Sequence, residues 1–416
     1  MKRRALWPAL LLMVAVPSCG PESAPGDKAE ATLDEARVEQ LRALGYVESA
    51  DRVADPAKSG AEVLDADAVS PGYSLYVSPH ECSARLITLD GTVVHAWRDE
   101  LSYDGKTRAC GDWHHADLLP GGDLLVPVGA KPQPGQQTGT HLLRMAWDGT
   151  VRWRHPMRAH HDAELAPDGV IHALELAFRR DHPYEPGADV PIMDNAVVFL
   201  TPEGGLRRRL SLYDVLREND VGFELRPVTR PEGLWYIDLL HMNSVETLHD
   251  PRFVGRHPLY ALGNLLLSSR HQDAIFVVDP KTKRLVWWYG PGELSGQHDA
   301  QMLPNGNVLV FDNGLDRGWS RVVEIDPVEK KIVWQYGDGD ETRFFTSGRG
   351  AAQKLPNGNV LVSNSNEGEA FEVTRDGRVV WRFYHPVLDE EGRRRVIVRM
   401  IRYPASQIDP LLEGAR

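Results

Sequence analysis

The sequence predicts an all-β protein, a six-bladed β-propeller of four-stranded antiparallel blades closed by pairing N-terminal and C-terminal strands. Three observations carry this. First, a turn phrase recurs. Leu303-Pro304-Asn305-Gly306-Asn307 ahead of Val308-Leu309-Val310 is nearly copied at Leu355-Pro356-Asn357-Gly358-Asn359 ahead of Val360-Leu361-Val362. Looser copies stand at Leu119-Pro120-Gly121-Gly122 and Ala166-Pro167-Asp168-Gly169. Asn and Gly accept the positive φ of a tight antiparallel hairpin, so each phrase joins two strands, A and B. Second, each hairpin is followed by a pair of β-prone runs, C and D. Arg321–Pro327 with Ile332–Gly337 recurs as Ala274–Pro280 with Leu285–Gly290, and as Ala370–Thr374 with Arg378–Tyr384. His141–Trp147 with Val151–His155, and Ala196–Pro202 with Leu206–Leu212, repeat it again. Third, the spacing of these units is roughly 45 residues, the period of a propeller blade.

Taken in order, residues 1–19 read as a targeting segment. Lys2-Arg3-Arg4 is a basic n-region, and Ala5 to Val16 is apolar but too short to span a bilayer. Val16-Pro17-Ser18-Cys19 has the form of a lipoprotein signal-peptidase site, with Cys19 as the lipidated residue. Both this reading and an ordinary secretory signal export the chain. The expectation is a periplasmic or membrane-anchored lipoprotein, touching the membrane through its lipid alone. Gly20 in place of an aspartate slightly favours the outer membrane. Residues 20–70 are rich in Ala, Asp, Glu, Gly and Ser and read as a flexible tether. Within it, Leu33, Val38, Leu41 and Leu44 give Thr32 to Tyr46 the stripe of a short amphipathic helix. The propeller is expected over residues 71–416.

One blade is split between the ends. Tyr73 to Val77, Arg85 to Asp90 and Thr92 to Arg98 read as its strands B, C and D. Val396 to Tyr403 is the missing strand A. Pairing across the termini removes two exposed edges. Trp153, Trp287, Trp334 and Trp381 occupy equivalent D-strand positions and read as packing between sheets. The long connections Ala177–Asn195, Ser211–Leu239 and Gly337–Gly350 all fall on the end where strand A begins, which marks a functional face. His249–Ala261 is an insertion at the other end.

A net charge of -12 argues against nucleic acid as a partner. With Cys19 lipidated, Cys82 and Cys110 remain as a pair in an exported chain, and a disulfide is the economical reading. No Cys or His spacing resembles a structural zinc site, and no cofactor is expected. The oligomeric state is left open.

The chemistry gathers at the start of strand A. Six residues before the turn proline stand His114, His161 and His298, and His241 begins strand A in the blade without that proline. Strand A is innermost in a propeller, so these residues form a ring at one channel mouth. Gly350 and Val398 or Arg399 hold the remaining positions. Arg270 ends strand B and returns to the same mouth, where its equivalents Asn313 and Ser365 are uncharged. A guanidinium among imidazoles suits an oxyanion. Two alternatives stand beside this. His161-Asp162 and His298-Asp299 fit a repeated structural hydrogen bond, and several histidines together fit a metal. Arg270 argues against the metal.

The phrases Gln297-His298-Asp299-Ala300 with Leu303–Asn307, His241-Met242-Asn243-Ser244 and Ser268-Ser269-Arg270 resemble the bacterial aryl-sulfate sulfotransferase family, over roughly residues 71–404. The resemblance implies a six-bladed propeller that moves a sulfuryl group from a phenolic sulfate ester to an acceptor phenol, without a nucleotide donor. It implies His298 as the nucleophile that becomes sulfated. His161, His241, Asn243 and Arg270 match the other active-site positions. His114 lies outside that set and reads as pocket-lining. The chain departs from the family in its compactness and in the His249–Ala261 insertion. The physics of sulfuryl transfer agrees, since charge on peripheral oxygens calls for positioning and electrostatics. A covalent intermediate on His298 would split the transfer into two steps, and either His241 or His161 would serve as acid and base. The competing readings are a non-catalytic propeller binding a protein or an anionic ligand, and an aryl-sulfate hydrolase.

Overall fold

Each turn phrase forms the tight hairpin its residues dictate. Gly306 and Gly358 take φ of 88° and 91°. Their amides donate back to the carbonyls of Leu303 and Leu355 at 2.8 and 2.9 Å. In the computed structural model, which describes residues 48–103, 106–109, 112–129, 140–183, 189–231 and 234–414, these hairpins extend into six antiparallel blades.

The first blade pairs Met400–Tyr403 with Tyr73–Ser78, Ser83–Ile87 and Val93–Arg98. The second has a broken strand A, Asp112–Trp113 and Asp117–Leu118, then Leu124–Gly129, His141–Met145 and Val151–Pro156. The third is Ala159–Leu165, Ile171–Arg179, Ile192–Leu200 and Leu206–Ser211. The fourth is Met242–Thr247, Leu265–Ser269, Ala274–Asp279 and Arg284–Tyr289. The fifth is His298–Met302, Val308–Asp312, Arg321–Asp326 and Lys331–Tyr336. The sixth is Ala351–Lys354, Val360–Asn364, Glu369–Val373 and Val379–Tyr384. The expected closure is present, with Tyr73 opposite Tyr403 and Tyr76 opposite Met400. Strand A of this blade is shorter than the Val396–Tyr403 expected.

The core is a series of slabs between neighbouring blades. One slab holds Leu174 and Val197 of the third blade against Leu267 and Phe276 of the fourth. Another sets Tyr76 and Ile87 of the first against Trp381 and Phe383 of the sixth, across the closure. The D-strand tryptophans bind one blade to the next as well as filling space. Their indole nitrogens donate to carbonyls of the following blade: Trp97 to Ala146, Trp153 to Pro202, Trp287 to Pro327, Trp334 to Arg375 and Trp381 to Leu89. The third blade has no such tryptophan, and there Arg208 Nη1 donates to the carbonyl of Pro280.

The tether boundary at residue 70 needs correction. Gly60–Val63 pairs with Val379–Tyr384 as a fifth, outer strand of the sixth blade, and Ser49–Val53 pairs with Arg393–Arg395. Ser70 is buried, its amide donating to Glu372 Oε1 at 2.7 Å and its carbonyl accepting from Arg402 Nη1 at 3.0 Å. The polar composition of this stretch hid a role that needs little apolar surface, covering the edge of a D strand. The long connections are also partly structured. Strands of the third blade run well into 177–195, and Leu212–Arg217 is a short helix whose N-cap Ser211 accepts from the Asp214 amide. The 249–261 insertion folds into two 3-10 turns and buries Phe253, Leu259 and Tyr260 against the fifth blade, with Tyr260 Oη donating to the Gly306 carbonyl at 2.8 Å. Cys82 is buried in the B–C connection of the first blade. Cys19, Cys110 and the Thr32–Tyr46 segment lie outside the described residues.

Candidate active site

The inner strands do not run regularly through the ring positions. Pairing slips between Ala159 and Ala163, between Met242 and Ser244, and between His298 and Gln301. At these bulges His161, His241 and Asp299 take φ of 52°, 47° and 55°, and Arg349 in the sixth blade takes 60°. A left-handed conformation costs a residue with a Cβ about 1–2 kcal/mol. Bulges of this kind turn a side chain out of the pleat, and such strain gathers at functional sites.

The bulges separate the two halves of each His-Asp pair. The aspartates make repeated structural hydrogen bonds, to the backbone of the next blade. Asp162 Oδ2 accepts from the Val245 amide of the next blade at 3.0 Å, and Asp299 Oδ2 accepts from Ala352 at 2.9 Å. The fourth blade, lacking an aspartate there, uses Ser244 Oγ to accept from the Ala300 amide at 3.1 Å. The imidazoles are left to face one another. His161 Nε2 lies 3.1 Å from His241 Nε2. Ring centroids of His161 are 5.0 Å from His114, 5.1 Å from His241 and 6.1 Å from His298. The four ring histidines therefore converge. Gly129 makes room for His114, since a Cβ there would lie 2.0 Å from its Nε2.

Hydrogen bonds fix two tautomers. His298 Nδ1 faces two acceptors, the Gly296 carbonyl at 3.0 Å and Asn313 Oδ1 at 2.7 Å. The Asn313 amide cannot be reversed, because its Nδ2 donates to the carbonyls of Thr346 and Arg349, each at 2.8 Å. His298 Nδ1 thus carries the proton, and Nε2 presents a lone pair. His241 Nδ1 donates to Asp238 Oδ2 at 2.5 Å, so its Nε2 also carries a lone pair and accepts from His161 Nε2–H. Burial, then the charge of Arg270, hold His298 and His241 well below the ordinary histidine range. Burial also lowers His161, and takes His114 and His271 down to about 3. Arg270 is pushed down to about 10, also by burial, and stays cationic at neutral pH. Its Nη1 lies 2.9 Å from His271 Nε2 and its Nη2 donates to the Ser347 carbonyl at 3.3 Å.

Asn243 also reaches the site. Its Nδ2 donates to the Gln297 carbonyl at 2.8 Å, steadying the residue before His298, while its Oδ1 is buried without a partner. Sequence reasoning missed His160, Asp238, His271, Asn313's part in orienting His298, and Arg349. The doublet His160-His161, the Asp238-x-x-His241 spacing and the Arg270-His271 neighbours were the available signals. Arg399 closes the split blade's place in the ring, with Nη2 2.9 Å from Asp299 Oδ1 and Nη1 3.4 Å from Asp162 Oδ1. Below the ring the channel holds a cavity of about 240 Å³ lined by Asp117, Asp162, Glu164, Glu246 and Asp299 around Arg399. A larger cavity, about 410 Å³, opens at the other end between the third and fourth blades and contains none of the ring residues.

Fold and site together define a propeller with a buried imidazole cluster and a guanidinium at one channel mouth. The chain belongs to the arylsulfotransferase (ASST) family, which it matches over residues 143–385, a span that takes in His161, His241, Asn243, Arg270 and His298. Membership supports a sulfotransferase acting on small aryl sulfates and phenols. Comparison with curated proteins finds no match. Among solved structures, a protein of unknown function from Bacteroides caccae is similar with a TM-score of 0.50 at 14% identity, covering 80% of this chain and 98% of that one. A catalytically inactive virginiamycin B lyase from Staphylococcus aureus, with quinupristin, has a TM-score of 0.43 at 11% identity, covering 78% of this chain and 88% of that one. The first likeness speaks to the fold alone, and the second carries no argument.

Proposed function

We propose that the protein is a nucleotide-independent aryl sulfotransferase that works through a sulfohistidine at His298. The observation that carries this is the fixed His298 tautomer, a neutral imidazole with its Nε2 lone pair free beside a buried arginine. In the first half-reaction Nε2 attacks sulfur, the S–O bond to the aryl group breaks, and the phenolate departs against the His161 Nε2–H. Arg270 balances charge on the sulfuryl oxygens, and Asn243 holds the chain entering His298. In the second half-reaction the acceptor phenol attacks the sulfur. Its proton passes to His241 Nε2, the S–N bond breaks, and His298 returns to its neutral form. The departing phenolate leaves with a hydrogen bond from the neutral His161 and takes its proton from solvent, and His241 returns the acceptor's proton to solvent, so all three histidines regain their starting forms. Asp238 stabilises the imidazolium at His241, which favours His241 over His161 as the base.

The test uses the chain from residue 48, since Ser49–Val53 and Gly60–Val63 are parts of the sheets. Release of nitrophenol from 4-nitrophenyl sulfate beyond the first equivalent should require added phenol, and all release should vanish in His298→Ala. Sustained turnover without phenol would favour the hydrolase. No release from folded protein with a range of aryl sulfates would favour the binding propeller. We further propose export with a lipid on Cys19 and a Cys82–Cys110 bridge. Palmitate should label the full chain but not Cys19→Ala, and the folded protein should offer no free thiol to alkylation. A label that persists in Cys19→Ala refutes the first, and thiols that alkylate without reductant refute the second.

A further inference from the structure

We propose that His160, His161 and His241 form a binding site for a divalent transition metal of the zinc type, and that metal bound there silences the transfer. The ligand nitrogens of the three residues all lie within 4.8 Å of one another. Zinc–imidazole bonds of about 2.0–2.1 Å in tetrahedral geometry set ligand nitrogens roughly 3.3 Å apart. The His161 and His241 Nε2 atoms already stand at 3.1 Å. Coordination needs those two rings to part slightly and His160, whose centroid is 3.9 Å from that of His161, to turn toward them.

Two further observations point to a metal. His160 is 2% exposed, and apart from a contact to the Met242 backbone neither of its ring nitrogens finds a hydrogen-bond partner. Buried polar atoms left unpaired call for a partner, and a metal supplies one. Asp238 holds the far nitrogen of His241, the carboxylate–histidine arrangement that orients a metal-bound imidazole and raises its basicity. Arg270 argued against a cation from sequence alone. In the structure its guanidinium bonds to His271 and the Ser347 carbonyl, and although its charge still reaches His241, an anion in the fourth metal position would balance it.

On coordination the His161 proton moves from Nε2 to Nδ1, and the fourth metal position stays open for water or an anion. With both Nε2 atoms occupied, His161 can no longer meet the departing phenolate and His241 can no longer take the phenol proton. This silencing rests on the function proposed above, whereas the binding does not.

The experiment titrates chelator-stripped protein with Co²⁺, then Zn²⁺. The expected result is one equivalent of Co²⁺ with the intense visible bands of four-coordinate cobalt, displaced by Zn²⁺. His160→Gln should bind Co²⁺ at least about tenfold more weakly. Measured against its own metal-free rate, it should need more Zn²⁺ for inhibition. If His160→Gln does not fold, Asp238→Asn is read in the same titration and should also weaken binding by about tenfold or more. Missing four-coordinate bands, or an affinity unchanged in the variant, overturns the site. Zn²⁺ that binds with the expected spectrum but leaves nitrophenol release untouched overturns the silencing. A protein that releases no nitrophenol at all still gives a decisive Co²⁺ titration.

Discussion

At the scale of single residues, the site is organised by partners that act through the histidines they hold. Asn313 has no charge and no nucleophile, yet its two donated bonds decide which nitrogen of His298 is free. Asp238 does the same for His241. These two act on different half-reactions, which makes them separable. Asp238→Asn should lower kcat by about 10²-fold or more, in line with general-base contributions, because the neutral amide no longer stabilises the imidazolium. The burst of nitrophenol that accompanies formation of the sulfohistidine should survive in that variant, since 4-nitrophenolate leaves without strong acid assistance. A pre-steady-state trace checks this. Loss of the burst together with turnover would mean that Asp238 supports His298 or the fold rather than His241.

At the scale of elements, one repeated contact welds the ring, the D-strand indole to the next blade. Trp381 is the instance that crosses the closure, since it belongs to the sixth blade and donates to Leu89 of the first at 2.8 Å. Trp381→Phe keeps most of the apolar surface but leaves that carbonyl unpaired, for a cost of about 1–3 kcal/mol. Urea denaturation should show a lower midpoint with an unchanged slope, and no change would mean that water replaces the indole. The repeat that places these tryptophans also made the propeller and its closure legible from sequence, because turn glycines and β-prone runs recur at one spacing. Three of the ring histidines, His114, His161 and His298, were legible for the same reason, each lying six residues before a turn proline, and His241 by its place at the start of the equivalent strand. What escaped were partners outside the repeat. Asp238 comes from an irregular loop, Arg349 from another, and His160 faces the cluster only because a bulge turns its neighbours. Gly60–Val63 escaped because an outer strand needs backbone pairing more than apolar side chains. No periodic pattern announces any of these.

At the scale of the whole molecule, the two ends of the central channel differ in charge. The ring end offers Arg270 to an anion, whereas the cavity below it is walled by carboxylates with Arg399 spanning them. In the proposed function this polarity draws an aryl sulfate to the ring end and repels it from the channel beyond. Crowding those carboxylates has a consequence for stability. Burial lifts the Glu246 carboxyl from 4.5 to about 8, with neighbouring Glu164, Asp299 and Asp162 adding to the rise, while its Oε2 accepts from the Met302 amide at 2.7 Å. A carboxyl whose value is raised by folding holds its proton more tightly in the native state. Its contribution is therefore complete below about 4.5 and is lost as pH rises through about 8. The buried histidines work in the opposite sense, because protonation below their ordinary value favours the unfolded chain. Comparing wild type with Glu246→Gln isolates the carboxyl, since glutamine keeps an acceptor for Met302 and does not titrate. The melting temperature of wild type should fall relative to Glu246→Gln between about pH 5 and pH 8, leaving the variant the more stable protein at the alkaline end. Parallel curves would mean that Glu246 is solvated and ionised throughout, and that Arg399 alone neutralises the channel.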